Sequence, residues 1–457
     1  MAFPSVTIHS SSTIIPSHPT PHRTLALSES DQAMLDGYSF TIYVYKKAFD
    51  HLDASSLAMD SMRNSLSKIL VPYYPLAGRL RWIDGGRLEL DCCGAGVRFI
   101  EAEAFADAKL DDYGDFAPSD ATRQLVPKPD HRAPIEDQPL VLVQVTRFSC
   151  GGIVIGTAIS HFVVDGISAI MFVNLWASIT QGEKTIESII PKWPNHERDF
   201  LQPVLDPPRF HHREYESPPL LIGRSDVKEE RSKETTVALL KLAKHQHEKL
   251  KKMANEGSAT PQRPYTRFEA VGGHIWACVC KARSNTTRCE SDQPTVALIT
   301  ASIRQRIRPP PPERFCGNAI LLTVTPICKF GDLIKNPLSY AAGNIREGTW
   351  KLTDEYIKSA ISFLASKENE LVKECYQTEV TPFWGNPNLD LGCWTSMPIY
   401  DADFGWGRPS YVGPTPLVVE DGLSIIMPGP DDGSLILIIC LQTKCMNEFK
   451  KLFYQHL

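Results

Sequence analysis

Two hydrophobic periods alternate along this chain. Apolar side chains spaced three and four residues apart predict helices over 51–70 (HLDASSLAMDSMRNSLSKIL), 334–347, 352–374 and 444–455. Runs rich in Val, Ile and Thr predict strands over 39–45 (SFTIYVY), 87–91, 140–148, 152–159, 295–300, 319–326, 423–427 and 434–441. The strands 140–148 and 152–159, joined through Gly151 and Gly152, read as a hairpin. After Gly166 a continuous apolar run, ISAIMFVNLWASIT, reads as a buried helix. Both kinds of element occur in both halves, which predicts an α/β protein of two domains whose sheets carry helices.

Proline marks the join. Seven prolines fall between Pro191 and Pro219, in a stretch that can continue neither a helix nor a central strand. It is too long for an ordinary loop, so it reads as an extended crossover over 189–224 between a domain at 1–188 and another at 225–457. No short-period repeat is present, which removes a solenoid.

Composition narrows the classes. The chain has 457 residues, 42% hydrophobic and 22% charged, with a net charge of −5. These values exclude disorder as the main state and argue against a dedicated nucleic-acid binder. The longest apolar runs, IVIGTAI and LILIICL, fall far short of a membrane span, and MAFPSVTIHSSST lacks the pattern of a secretory signal. A cytoplasmic protein, independent of membranes, is expected. The 12 cysteines include no C-x-x-C pair, so they read as reduced, mostly buried side chains without a metal or redox role. His245 and His247 stand two residues apart on a helical pattern and would not converge on a metal, and His211-His212 reads as plain crossover.

One constellation carries chemistry. The strand 152–159 leads through Ser160 into His161-Phe162-Val163-Val164-Asp165-Gly166, which places a histidine at the end of a buried strand before a turn. The His-x-x-x-Asp spacing alone arises by chance about once in a chain of this composition. Far downstream stands DADFGWGRP at 401–409, with Gly405 and Gly407 flanking Trp406 in what reads as a tight loop. YYPLAGRLR at 73–81 and FCGNA at 315–319 complete the ordered set. This set resembles the plant BAHD acyltransferases, which pair H-x-x-x-D-G with D-F-G-W-G, and the resemblance covers essentially the whole chain.

The resemblance implies a chloramphenicol-acetyltransferase-like fold: two similar-sized domains, each a mixed sheet with helices, joined by a long crossover. A solvent channel between the domains would admit acyl-CoA from one side and the acceptor from the other. No tightly bound cofactor or metal is implied, acyl-CoA is the co-substrate, and a monomer is expected.

Residue by residue, the resemblance makes His161 the general base. Histidine's ordinary pKa near 6.5 leaves it neutral enough for proton abstraction at cytosolic pH. The acceptor would attack the thioester directly, and no serine or cysteine lies in a G-x-S-x-G elbow. Cys393 is the nearest rival nucleophile. Asp165 is expected to be structural, tied to Arg304. Asp403 is a candidate catalytic residue, with anchoring of its own loop the preferred reading. Trp394 is either an indole donor to the tetrahedral oxyanion or plain wall packing. For CoA, the resemblance points to Arg263, Thr266 and Arg267 in the stretch around Tyr265, and to Ser302, Arg304 and Arg306, with Arg308 beside them; guanidinium groups suit phosphates through bidentate geometry.

For the acceptor, PPRFHHREYESPPLLIGRSDVKEERSKET at 207–235, YTRFEAVGGHIWACVCKAR at 265–283 and the opening VTIHSSSTIIPSHPTP look like the spermidine hydroxycinnamoyltransferase branch. Trp394-Thr395-Ser396 stands where shikimate and quinate enzymes carry an arginine for the acceptor's carboxylate, which disfavours those acids. Tyr38-Ser39-Phe40-Thr41 replaces the H-x-P-[ST] of related enzymes, so Tyr38, Ser39 and Thr41, with Thr395 and Ser396, are expected to line a reshaped acceptor pocket. N-acylation of spermidine or a similar polyamine from hydroxycinnamoyl-CoA is the leading expectation, and O-acylation of an alcohol or alkaloid from benzoyl- or another acyl-CoA the second. A non-catalytic ligand-binding relative is the third. A polyamine must first lose a proton, at about 4.6 kcal/mol for an amine of lysine-like pKa at pH 7.

Overall fold

The first half contributes strands β1 (Val6–Ile14), β2 (Thr24–Ala26), β3 (Tyr38–Tyr45), β4 (Arg79–Ile83), β5 (Arg87–Asp91), β6 (Val97–Ala104), β7 (Val141–Arg147) and β8 (Ile153–Ser160). The second contributes β9 (Thr235–Leu242), β10 (Pro294–Thr295), β11 (Ala297–Ser302), β12 (Ile320–Val324), β13 (Cys328–Lys329), β14 (Leu389–Cys393), β15 (Tyr411–Pro414), β16 (Leu423–Pro428) and β17 (Leu435–Gln442). The coordinates are a computed structural model that describes residues 5–34, 37–48, 53–104, 108–189, 193–204, 207–223, 225–256, 263–287, 289–378, 383–415, 420–430, 433–455 and 457. Pro191 and residues 205–206 of the crossover, Arg224 at its end and residues 51–52 of the first predicted helix lie outside the described residues.

Two six-stranded mixed sheets result, in the orders β1-β6-β7-β8-β3-β15 and β12-β11-β14-β16-β17-β9, with β2-β5-β4 and β10-β13 as smaller ones. The expected hairpin is β7–β8, antiparallel from Val141↔Ile159 to Arg147↔Ile153. All eight residues of β8 are buried, as are all eight of β17. Burial on both faces is why these strands read as unbroken apolar runs rather than as alternation.

Period-two geometry then sorts the core. Ile155 and Ile159 of β8 join Tyr43 and Tyr45 of β3 in one cluster, which also holds Ile425, Met427, Ile436 and Ile438 of the second sheet. The two sheets therefore share a core. Leu435, Leu437 and Ile439 point to the opposite face of β17, onto Val271, Ile275, Phe449 and Phe453.

The helix Gly166–Gln181 begins at Asp165, whose side chain caps the Ser168 N–H, and ends at Gly182 in the left-handed region (φ 86°). The sequence pattern missed the 21-residue helix Arg267–Thr287, because Gly272 and Gly273 weaken a helical reading. The tertiary reason for Gly273 is close approach: a Cβ there would sit 2.8 Å from the Ala342 nitrogen of the helix Leu338–Trp350.

One strand crosses between the halves. β15 follows the DFGWG loop in the second half, yet pairs antiparallel with β3 of the first sheet, from Tyr411↔Val44 to Pro414↔Thr41. The crossover is pinned in turn by a buried polar knot, in which His212 bonds Glu214 (3.2 Å) and Ser359 (2.9 Å), and Tyr356 donates to Glu214 (2.7 Å). Among the described residues no helix is long and apolar enough to cross a membrane.

Candidate active site

The ladder that organises the site runs from Tyr38↔Ser160 to Tyr45↔Ile153. It continues one step further, since the His161 N–H donates to the Gly37 carbonyl (2.8 Å). His161 therefore holds the next odd-numbered position after Ile159, on the face that meets the shared core. The residue is partly exposed. Its Nδ1 is buried with no hydrogen-bond partner. Among the described residues no carboxylate orients this imidazole at Nδ1.

Asp165 is fully engaged away from any acceptor. Arg304 reaches its two carboxylate oxygens at 2.5 and 2.9 Å, and the N–H groups of Ser168 and Ala319 donate to it at 3.0 Å. Arg304 also donates to the Ser168 hydroxyl and the Gly317 carbonyl. The Asp165 pair expected for Arg304 is thus present, and a CoA contact by this residue would have to use the N–H groups that Asp165 does not occupy. Gly166 is the next residue, and a Cβ there would stand 3.3 Å from the Met397 Cε. The turn after β14 thus lies directly across from the start of this helix.

Asp403 serves its own loop. Its Oδ1 accepts the N–H groups of Gly405 (2.8 Å) and Gly407 (2.9 Å), both at positive φ (103° and 84°). A side chain at either position would be strained. Phe404 inserts into the first half's core edge-on to Trp176, with ring centroids 4.8 Å apart, and Trp406 stands edge-on to Tyr45 at 5.5 Å. The Tyr45 hydroxyl donates to the Ala402 carbonyl.

The acceptor wall needs a correction. Tyr38 is buried against Leu142 and Ala158, on the sheet face opposite Ile159, and its hydroxyl donates to the Pro139 carbonyl (2.7 Å). A one-residue step along a strand reverses the face. Ser39 and Thr41 pair with Ile159 and Thr157 and share the His161 face, whereas Tyr38 does not. Across from them, Trp394 is partly exposed and packs against the shared core, and its backbone N–H donates to the Ile426 carbonyl (2.8 Å). Thr395 lies 3.1 Å from the Cys393 sulfur, and Ser396 is exposed. Burial raises the Cys393 thiol above its ordinary pKa, which disfavours a reactive thiolate.

The expected CoA set divides. Thr266 is a helix cap: its hydroxyl accepts the Glu269 N–H (3.2 Å) while its own N–H donates to the Glu269 carboxylate (2.7 Å). Arg346, which sequence reasoning did not single out, clamps that carboxylate at 2.7 and 3.1 Å and lies over the rings of Tyr265 and Trp350. Arg306 is half-buried and donates to the Thr349 carbonyl (2.6 Å). Arg308 is tied to Asp354 through its backbone N–H (2.6 Å). Arg263, Arg267 and Ser302 are exposed, and Arg267 is close enough to Cys393 to act on it electrostatically. The helix end carrying Arg267 thus faces the same turn as Trp394. Among the described residues no group of His, Cys, Asp or Glu could hold a metal, and His247 is buried on the Gly433 carbonyl while His245 is exposed.

A fold of two facing sheets, a histidine at a strand end and a DFGWG loop define an acyltransferase of the BAHD kind. The family model described as "Transferase family" matches residues 4–456, and the chain belongs to that family. It is 45% identical to the hydroxycinnamoyl-CoA:piscidic acid hydroxycinnamoyltransferase of Actaea racemosa, covering 98% of this chain and 99% of that one. It is 35% identical to the shikimate O-hydroxycinnamoyltransferase of Nicotiana tabacum, again over 98% and 99%. A hydroxycinnamoyl-CoA:5-hydroxyanthranilate N-hydroxycinnamoyltransferase of Avena sativa is 33% identical over the same shares. Among solved structures, vinorine synthase shares the fold with a TM-score of 0.72 at 22% identity, covering 97% of this chain and 96% of that one.

Proposed function

We propose that this enzyme transfers a hydroxycinnamoyl group from its CoA thioester to a hydroxyl of a small hydroxylated carboxylic acid. The observation that carries the reading is end-to-end identity of 45% with a transferase named for piscidic acid. The relatives named for shikimate and 5-hydroxyanthranilate also act on acids. The spermidine expectation has no such support. A polyamine needs carboxylates for its ammonium groups, while the residues Ser39, Thr41 and Thr157 that β3 and β8 place on the His161 face carry none.

His161 acts as general base. With Nδ1 buried, Nε2 is the nitrogen that can take the acceptor's proton. The acceptor oxygen bonds to the thioester carbonyl carbon, the tetrahedral adduct collapses, the C–S bond breaks, and CoA leaves with a proton returned from the imidazolium. The exposed Arg263 and Arg267 support a reading of that helix end as the place where CoA phosphates dock. The N-transferase relative favours a second reading, acylation of an aromatic amine.

Purified enzyme incubated with p-coumaroyl-CoA and piscidic acid, shikimate, 5-hydroxyanthranilate or spermidine separates these readings. CoA release and product mass identify the acceptor, and mild base cleaves esters but leaves amides. An ester with a hydroxy acid is expected. Turnover of spermidine to an amide, with no turnover of the acids, would overturn the proposal.

A further inference from the structure

Asn318 sits in FCGNA, a motif to which the catalytic reading gives no task. It is fully buried, and it touches the one segment whose placement matters most. Its Nδ2 donates to the carbonyl oxygen of His161 (2.7 Å) and to Oδ1 of Asp31 (2.8 Å), and its backbone N–H donates to the same Asp31 oxygen (3.2 Å). An amide nitrogen carries two donors and an amide oxygen none, so two acceptors on one side set the amide's orientation. The Asn318 Oδ1 is then left buried without a partner.

Asp31 extends the contact. Its other oxygen accepts from Arg198 Nε (2.7 Å), and Arg198 Nη2 donates to the Val163 carbonyl (3.0 Å). Asp31 and Arg198 are both buried. The turn that carries the base is thus gripped at two carbonyls, residues 161 and 163, by donors from the second half and from the crossover. One carboxylate from the first half ties the two donors together.

This grip has a specific consequence. Among the described residues the His161 ring has no partner on Nδ1, so no bond at that nitrogen aims it. In serine hydrolases a carboxylate does that work on the ring. Here the aim must come through the backbone. We infer that Asn318, held by Asp31 and Arg198, is the positioning residue that sets the orientation of the His161 imidazole for proton abstraction. The inference rests on the general-base reading of His161. A base displaced by less than an ångström still binds substrates but transfers protons slowly, so the loss should fall on turnover rather than on binding.

The test compares kcat and KM with p-coumaroyl-CoA and the acceptor that the wild-type enzyme turns over. The variants are N318A, R198K, H161A and S359A; the last cuts the crossover knot, away from the turn. N318A should lower kcat about 10- to 100-fold with both KM values within about twofold. R198K keeps the charge beside Asp31 but gives up the bond to Val163, and should lower kcat about 3- to 10-fold. S359A should keep kcat within about twofold even where its Tm falls as far as that of N318A. If N318A does not fold, R198K against S359A decides by the same criterion. Unchanged kcat in folded N318A or R198K, or an equal fall in S359A, would overturn the inference while leaving the base intact. Full turnover by H161A would overturn the base and the inference with it.

Discussion

Asp165 and Arg304, 139 residues apart, form a buried bidentate ion pair that closes the second half of the protein onto the histidine-bearing turn of the first. The aspartate of the His-x-x-x-Asp motif is 1% exposed and has its oxygens filled by Arg304 and two backbone N–H groups. It thereby differs from the aspartate of a Ser-His-Asp triad, which bonds the histidine ring.

Breaking that pair should be a stability event first. Removing one partner of a buried, hydrogen-bonded ion pair costs about 3–5 kcal/mol. Arg304→Ala and Asp165→Asn should each lower Tm strongly, while the fraction still folded at low temperature keeps measurable turnover. Denaturation curves alongside activity at 10–15 °C, roughly where domain stability is greatest, check this. Folded Asp165→Asn that is as inactive as H161A would assign the carboxylate a chemical role instead.

The Asp403 oxygen that matters accepts two backbone N–H groups, and an amide oxygen can do the same. Asp403→Asn should keep kcat within about threefold of wild type. Asp403→Ala removes the acceptor from both N–H groups, which water can reach in this exposed loop, and should destabilise by about 0.5–1.5 kcal/mol per lost bond. A collapse of kcat in well-folded Asp403→Asn would instead require the negative charge.

Direct transfer predicts that Cys393 is dispensable. Its thiol is partly buried, and that desolvation raises its pKa. Cys393→Ala should turn over within about threefold of wild type, and intact-mass spectrometry during turnover should show no acylated protein. A covalent acyl adduct that disappears in the variant would restore the nucleophilic route.

Ser396 is exposed in the turn that follows β14. Ser396→Arg places a cation where the resemblance puts the carboxylate-binding arginine of shikimate enzymes. A charge-assisted hydrogen bond contributes about 1.5–3 kcal/mol, so kcat/KM for shikimate should rise about tenfold or more. No change with shikimate would mean that acids bind elsewhere in this pocket.

His196 sets an acid limit on stability. Burial lowers its imidazole to about 4, with Arg198 nearby adding to the effect, and Nε2 lies 3.0 Å from the Pro72 carbonyl. The unfolded chain takes up that proton near pH 6.5, while the folded protein resists until about 4. Because the folded value is the lower one, stability is complete above about 6.5, falls as pH drops toward 4 and then levels off. The span corresponds to about 3 kcal/mol. Tm measured from pH 7.5 to 4.5 should fall more steeply for wild type than for His196→Asn, and equal slopes would remove His196 as the cause.

Much of the secondary structure was legible without coordinates, because periodicity is a local property. The strands at 87–91 and 434–441 and the hairpin at 140–159 appear within a residue or two of their expected ends. The helix Arg267–Thr287 was hidden by Gly272 and Gly273, whose reason is a neighbouring helix rather than anything nearby in the chain. Tyr38 was misplaced because residue type suggests a pocket lining but says nothing about which face of β3 is turned to His161.

By itself, then, the amino-acid order made many of the element types legible, together with the histidine and DFGWG motifs through which the chain resembles its family. Each of these depends on residues a few positions apart. The tertiary structure alone decided that β15 completes the first sheet and that Asn318 holds the His161 carbonyl. Those relationships join segments more than a hundred residues apart or depend on which face of an element is covered. Only the packing of two sheets around one shared core brings such groups within hydrogen-bonding distance.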